Sequence, residues 1–422
     1  ALADLNRTLP RNNKVRIVSG AKHPIVVTPL DVQQEPKNVV RLKTEIQDQW
    51  PNTGLIDVLK EADLRLGFTQ CFKTAANRQA ISQDELQRRL LLCLYGLGTN
   101  AGLKRVSADR LGVTYRELLY TRRRFIQRSA LRDAIAKVAN GIFGARLPEI
   151  WGEGTTACAS DSKKFGAWDQ NLMTEWHIRY GGRGVMIYWH VEKKSTCIYS
   201  QLKRCSSSEV ASMIEGVLRH CTDMTIERQY VDSHGQSHVA FAFTHLLGFD
   251  LLPRLKAINK QKLYTPGPHG KAQYGNLEPV LTRPINWALI EQQYDEMVKY
   301  ATALREGTAD AESILRRFTR SNTQHPTYQA LNELGKAVKT IFLCHYLRSE
   351  ELRREIHQGL NVVESWNAAN DFVFFGKGSE LASNRSEAQE LSFLALQLLQ
   401  NALVYINTLM LQRVIEQGGW AE

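Results

Sequence analysis

Three acidic residues, Asp161, Asp232 and Glu364, stand in the order Asp, Asp, Glu in a chain that is otherwise strongly basic, with a formal net charge of +11 over 422 residues and a pI near 9.3. Asp161 closes the strand-like run TTACASD, Asp232 closes TIERQYVD, and Glu364 lies in QGLNVVESWNAAN. Carboxylate oxygens are the ligands that Mg²⁺ prefers. Two such ions held together activate the attacking oxygen and stabilise the leaving oxygen of an in-line phosphoryl transfer. Without metal, clustered carboxylates repel and raise one another's pKa, so the arrangement would be costly. The pattern therefore points to phosphodiester chemistry on nucleic acid, with Mg²⁺ as cofactor and Mn²⁺ as a substitute. Each residue also has a structural role open to it. Asp161 before Ser162 suits an Asx-turn at a strand exit, Asp232 a turn or helix cap, and Glu364 with Asn361 a capping box.

Other chemistries find less support. His234 and His238 are four apart and would share a helix face, but no third zinc ligand has suitable spacing. Neither a phosphate-binding P-loop motif nor a G-x-S-x-G elbow occurs. The seven cysteines are odd in number and scattered without a C-x-x-C pair, which speaks for reduced, mostly buried thiols. No run approaches about 18 uninterrupted apolar residues, and the opening ALADLNRTLPRNNKVR is polar and basic. An intracellular protein that does not enter a membrane is expected. The sequence has no initiating Met and opens like the middle of a chain, so a piece of a longer protein is expected too.

The positive charge is concentrated. Residues 101–150 carry eleven Lys and Arg against four Asp and Glu, and residues 251–277 carry five against none. Such runs are footprints for an acidic partner, and DNA is the favoured one. Candidate phosphate contacts are Lys163 and Lys164 behind the first Asp, Lys256, Lys260 and Lys262 behind the last strand, and Lys377 and Arg385 behind the Glu. Arg122, Arg123 and Arg124 close a helix–Gly112–helix stretch that resembles a helix-turn-helix, with Tyr115 and Arg116 on the same segment. A plain helical hairpin gives the same pattern, so backbone contact rather than base reading is assigned. Trp168 and Trp366 have the shape to stack on an extruded base or to fill a core.

The elements that must position these groups fall into four stretches. Residues 1–150 read as a mostly helical unit, with short extended pieces before residue 50 and amphipathic runs behind Ser or Asp caps from about 54 to 147. Residues 151–255 read βββαβαβ, the order of the RNase H-like fold, in which helices cover a mixed sheet. Residues 256–350 combine a basic loop with a helical insertion broken at Asn286, Thr308 and Pro326. Residues 351–422 bring the Glu-bearing segment and a long apolar helix that polar residues punctuate, which suits a core helix. The fold class is thus α/β: an RNase H-like core with a helical insertion, preceded by a mostly helical domain.

The stretches SDSKKFGAWDQNLMTEWHIRYGGRGVMIYWHV, YVDSHGQSHVAFAFTHLLGFDLLPRLKAINKQKLY and GLNVVESWNAANDFVFFGKG resemble blocks of the Tn3 family of replicative transposases, in its C-terminal catalytic region. The resemblance covers essentially the whole chain, most strongly from about residue 90. It implies a DDE recombinase in which Asp161, Asp232 and Glu364 match the metal-binding triad. The enzyme would nick 3′ ends at terminal inverted repeats and join them to target DNA, as a homodimer in the bacterial cytoplasm and nucleoid. Family members are longer and carry N-terminal DNA-binding domains, so chemistry without full end specificity is expected of this sequence. Two alternatives stay open: a metal-dependent nuclease that cuts without joining, and a non-catalytic DNA-binding or assembly module.

Overall fold

The computed structural model describes residues 1–51, 53–74, 81–108, 112–168, 171, 174–176, 178, 181–268, 270–318, 324–381 and 383–420. It is a mixed α/β protein. Ten strands occur among these residues: β1 Val15–Ile17, β2 Ile25–Val27, β3 Ala157–Gly166, β4 Glu175–Trp176, β5 Arg183–Glu192, β6 Cys197–Lys203, β7 Arg228–Val231, β8 Asp250–Pro253, β9 Leu263–Thr265 and β10 Leu281–Pro284. β1 and β2 form an antiparallel hairpin, and β9 and β10 a small parallel pair. The six strands from β3 to β8 make one sheet.

The middle strand of that sheet is β3. It pairs antiparallel with β5, from Cys158 opposite Glu192 to Gly166 opposite Gly184, and parallel with β7, from Ala157 opposite Arg228 to Ser160 opposite Val231. β8 continues the parallel side beside β7, while β6 and the two-residue β4 pair with the far edge of β5. Helices Glu209–Arg219 and His238–Leu247 connect β6 to β7 and β7 to β8. The order βββαβαβ read from the sequence is present, with β4 added inside the polar stretch. β5 is buried along nearly its whole length because it lies inside the sheet with helices on both faces, and this explains the apolar run VMIYW at its centre.

Asp161 does not close its strand. β3 runs on to Gly166 because residues 161–166 keep pairing with β5, whereas its parallel neighbour β7 stops at Val231. One edge of β3 therefore opens just beyond Ser160, and Asp161 stands at that opening.

Helices surround the sheet. Leu55–Leu66, Gln83–Gly98, Leu103–Ala108, Tyr115–Phe125 and Arg128–Ala145 form the expected helical region, and residues 109–111 of the helix-turn-helix stretch lie outside the described residues. Helix Val39–Gln49, in the first fifty residues, carried no clear signal in the sequence. The insertion contains Trp287–Gln292, Tyr294–Glu306, Ala311–Arg317 and Pro326–Arg348. Asn286 caps the first, while Asp310 rather than Thr308 caps the third, its carboxylate accepting from Ser313 N at 2.8 Å. The last helix, Ser386–Glu416, is 31 residues long and apolar enough to cross a membrane by length and composition. It buries 67% of its most apolar window inside the fold. It also closes the sheet edge: Asn401 accepts from Cys197 N at 3.0 Å and donates to Cys197 O at 2.8 Å, while Gln397 accepts from the Ser200 hydroxyl at 2.7 Å. An edge strand whose polar groups are met this way offers no template for pairing. Buried apolar side chains from Leu5 to Ile406 form one continuous cluster.

Candidate active site

The register of three parallel strands sets the site. Ser160 pairs with Val231 and Val231 with Pro253. The next residue on each strand, Asp161, Asp232 and Arg254, therefore stands in one row at the carboxyl ends of β7 and β8. That is where open α/β sheets present groups to a ligand. The Arg254 N–H still donates to Val231 O at 2.9 Å, which fixes its backbone in the row.

Glu364 arrives from outside the sheet, on the 24-residue helix Glu350–Val373. The expected capping box at Asn361 is absent because that position is mid-helix; the cap is Ser349, whose hydroxyl accepts from Leu352 N at 3.0 Å. Ile356, Leu360, Val363, Trp366 and Val373 bury one face of the helix. Gly359 permits the close docking: a Cβ there would lie 2.4 Å from the Tyr230 ring on β7. Glu355 accepts from the Tyr230 hydroxyl and pairs with Arg228 at 3.0 Å. At the other end Lys163 pairs with Asp371 at 2.7 Å and donates to Asn367 O. Glu364, Asn367 and Asp371 lie on one helical stripe. Asp161 and Lys163 lie on one face of β3. Stripe meets face, and Asn367 Nδ2 donates to Asp161 Oδ2 at 3.1 Å.

Arg254 joins the two remaining carboxylates. Its guanidinium reaches Asp232 Oδ1 at 3.1 Å through Nη2 and Glu364 Oε1 at 3.3 Å through Nη1. A further carboxylate approaches from the opposite face of the sheet. Glu209, on the first turn of the helix capped by Ser208, accepts from the Ser162 hydroxyl at 2.9 Å and pairs with His234 Nδ1 at 2.9 Å. Glu209, Asp161 and Asp232 line a common narrow cleft. Burial is the largest influence on Asp161, and with the negative charges of Glu209, Asp232 and Glu364 it raises that carboxyl to about 6, against a smaller opposing bond from Ser162 N.

The donor chemistry fits divalent cations that favour oxygen: several carboxylates converge, and burial together with its acidic neighbours shifts one of them. As the side chains stand, no three His, Cys, Asp or Glu residues are gathered as a metal cage among the described residues. The guanidinium of Arg254 lies between two of the donors. His234 and His238 do not converge either, since His238 begins the next helix and packs edge-on against Tyr264 at 6.0 Å.

The predicted basic residues divide into two groups. Lys163 is engaged with the Glu364 helix, and Lys164 donates to Gly181 O at 2.6 Å and Gly182 O at 2.9 Å, fixing the turn before β5. Arg123, Arg124, Lys256, Lys260, Lys262, Lys377 and Arg385 are exposed, and Arg122 is half-buried. Arg123 and Arg124 share a shallow surface with Arg116 and Tyr120 on helix Tyr115–Phe125. Trp168 is exposed, whereas Trp366 is buried edge-on against Trp189 at 6.0 Å. Arg254, Glu209 and Asn367 escaped the sequence reading. Arg254 had a usable signal, because it follows the final strand in the same phase as Asp232 follows its own. Glu209 after Ser208 reads only as a helix start.

A family model described as the Tn3 transposase DDE domain matches residues 57–422, and the chain belongs to that family of transposase domains. It is 30% identical over 406 residues, 96% of its length, to the transposase for transposon Tn1546 of Enterococcus faecium. It is 28% identical over 411 residues to the transposase for transposon Tn501 of Pseudomonas aeruginosa, and 29% identical over 418 residues to that for transposon Tn21 of Escherichia coli, covering 97% and 98% of this chain. In each case the match spans 41% of the relative's own length.

Proposed function

We propose that this chain is the RNase H-like catalytic region of a replicative transposase, which nicks 3′ ends at terminal inverted repeats and joins them to target DNA. The observation that carries the reading is the row of Asp161 and Asp232 on adjacent parallel strands, with Glu364 tied to the same row through Arg254. The strand order β6–β5–β3–β7–β8, with three antiparallel strands followed by two parallel ones, supports the RNase H-like assignment. Asp161, Asp232 and Glu364 are the groups that hold Mg²⁺, with Mn²⁺ as a substitute; when bound, the cations supply charge stabilisation for in-line displacement at phosphorus.

The remaining residues position rather than react. Asn367 orients the Asp161 carboxylate, and Lys163 holds the Glu364 helix through Asp371. The exposed Arg123, Arg124, Lys256, Lys260, Lys262, Lys377 and Arg385 take backbone phosphates of element and target DNA, a mode that tolerates any sequence. Joining two element ends calls for a homodimer, and the substrate places the protein at the nucleoid of a bacterial cytoplasm. The deciding experiment incubates the protein with Mg²⁺ and a duplex bearing an inverted-repeat end. Nicked 3′ ends joined to a second duplex are expected. Cleavage without joining would make the chain a nuclease, and intact DNA with full binding would make it an assembly module. Ca²⁺ is expected to support binding with little cleavage, because its coordination is looser than that of Mg²⁺.

A further inference from the structure

The reach of Arg254 across the carboxylate row carries a second conclusion, which rests on the reading of Asp232 and Glu364 as metal ligands. One positive side chain serves Asp232 and Glu364, with Asp161 and Glu209 close by. Its two ion pairs are open to water: the side chains of Arg254, Asp232 and Glu364 are 37%, 28% and 50% exposed. Pairs of this kind are held weakly and exchange readily. The anchor is nonetheless rigid, because the Arg254 backbone is bonded into the strand row. Only the side chain has to move for the space between the two carboxylates to open. A guanidinium bridges carboxylates with directed N–H donors and neutralises them, but it cannot activate an oxygen nucleophile as a divalent ion does.

We infer that Arg254 is an internal counter-cation that occupies the ion position between Asp232 and Glu364, and that a divalent cation enters by displacing its guanidinium. The metal-free protein is thereby kept from holding naked carboxylates together, and the site takes its catalytic form only when metal outcompetes the arginine.

Mn²⁺ affinity, followed by electron paramagnetic resonance, and thermal unfolding in chelator test this on wild-type protein, Arg254→Gln, Arg254→Lys and Asp232→Asn. Arg254→Gln is expected to bind Mn²⁺ more tightly, on the order of tenfold. It should also unfold at a lower temperature in chelator, with the gap closing when Mn²⁺ saturates. Arg254→Lys keeps one charge but not the fork, so its affinity should fall between the two; it also serves if the Gln variant fails to fold by circular dichroism. Equal or weaker Mn²⁺ binding in both Arg254 variants, with binding still lost in Asp232→Asn, would overturn the counter-cation role and leave the metal ligands standing. Mn²⁺ binding that ignores Asp232→Asn would remove the ligand reading and the counter-cation with it.

Discussion

Two acidic centres, one around Glu333 and one at the Asp161–Asp232–Glu364 row, solve opposite problems. Glu333, in the insertion helix Pro326–Arg348, is 7% exposed and fully matched: Arg283 and Lys336 pair with it, and the Asn286 N–H donates to it at 3.0 Å. Burial alone would raise its carboxyl, but the bonds from Arg283, Lys336 and Asn286 together outweigh burial and hold it down at about 2. At the strand-end row the balance is reversed. Two carboxylates, Asp232 and Glu364, share the single half-buried guanidinium of Arg254, and Asp161 is pushed up to about 6 by burial and by its acidic neighbours. Glu333 is a finished ion pair that fastens β10 to the insertion. The row has a deficit of positive charge, and such a deficit is a place for cations.

The largest test of this contrast separates function from stability. Asp161→Asn, Asp232→Asn or Glu364→Gln should each lower DNA cleavage and joining by on the order of a thousandfold, because several kcal/mol of charge stabilisation are lost. Asp161→Asn should leave the metal-free protein as stable as wild type at pH 7, or more so, since it removes a destabilised charge. Glu333→Gln should do the reverse, lowering stability by about 2 kcal/mol through the loss of charge-assisted bonds while leaving the triad in place. Urea unfolding and a gel assay of joined products read both sides. A large stability loss in Asp161→Asn with little change in Glu333→Gln would erase the distinction.

A smaller effect separates the centres by pH. The folded-state pKa of Asp161 lies above its unfolded value, so the protonated carboxyl favours the folded metal-free chain. That contribution is present below about pH 4 and fades as pH rises through about 6. Metal affinity runs the other way and should climb over the same window, because a ligand carboxyl must be ionised. Glu333 is depressed, so its contribution is intact at neutral pH and disappears only as pH falls through about 2. Mn²⁺ titrations between pH 5 and 7.5 should therefore show a rise that Asp161→Asn abolishes. Acid unfolding should lose part of its steepness in Glu333→Gln alone.

How much of this the sequence disclosed follows from the range of the interactions. The strands, their order and the phase of Asp161 and Asp232 were legible because side-chain alternation and turn residues are local signals. The position of Asp161 within its strand was not, because it depends on β5 continuing where β7 stops. Asn361 resembles a cap and so suggests a helix start near Glu364, although Ser349 followed by Glu350 and Glu351, twelve positions before Asn361, carries the stronger start signal. Lys163 reads as a DNA contact in the sequence because nothing in its neighbourhood hints that Asp371, about two hundred positions later, lies opposite. Glu209 reaches the row from the helix packed on the sheet, a tertiary contact that no local signal carries.

The smallest expected effect concerns the exposed basic residues, and it sharpens the contrast from outside the site. Arg123 and Arg124 end helix Tyr115–Phe125 beside Arg116 and Tyr120, with no carboxylate paired to them among the described residues. If they hold phosphates, replacing either by Ala weakens binding to unrelated duplexes to a similar degree and lowers the slope of log affinity against log salt by about one. Lys163 and Lys164 are already engaged, with Asp371 and with the Gly181–Gly182 turn. Lys163→Ala should therefore leave the salt slope unchanged and instead reduce joining, because the Glu364 helix loses one of its fastenings. Fluorescence anisotropy across a salt series distinguishes the two lysines from the two arginines. Equal slope changes at Lys163 and Arg123 would mean that the first lysine faces DNA rather than the helix.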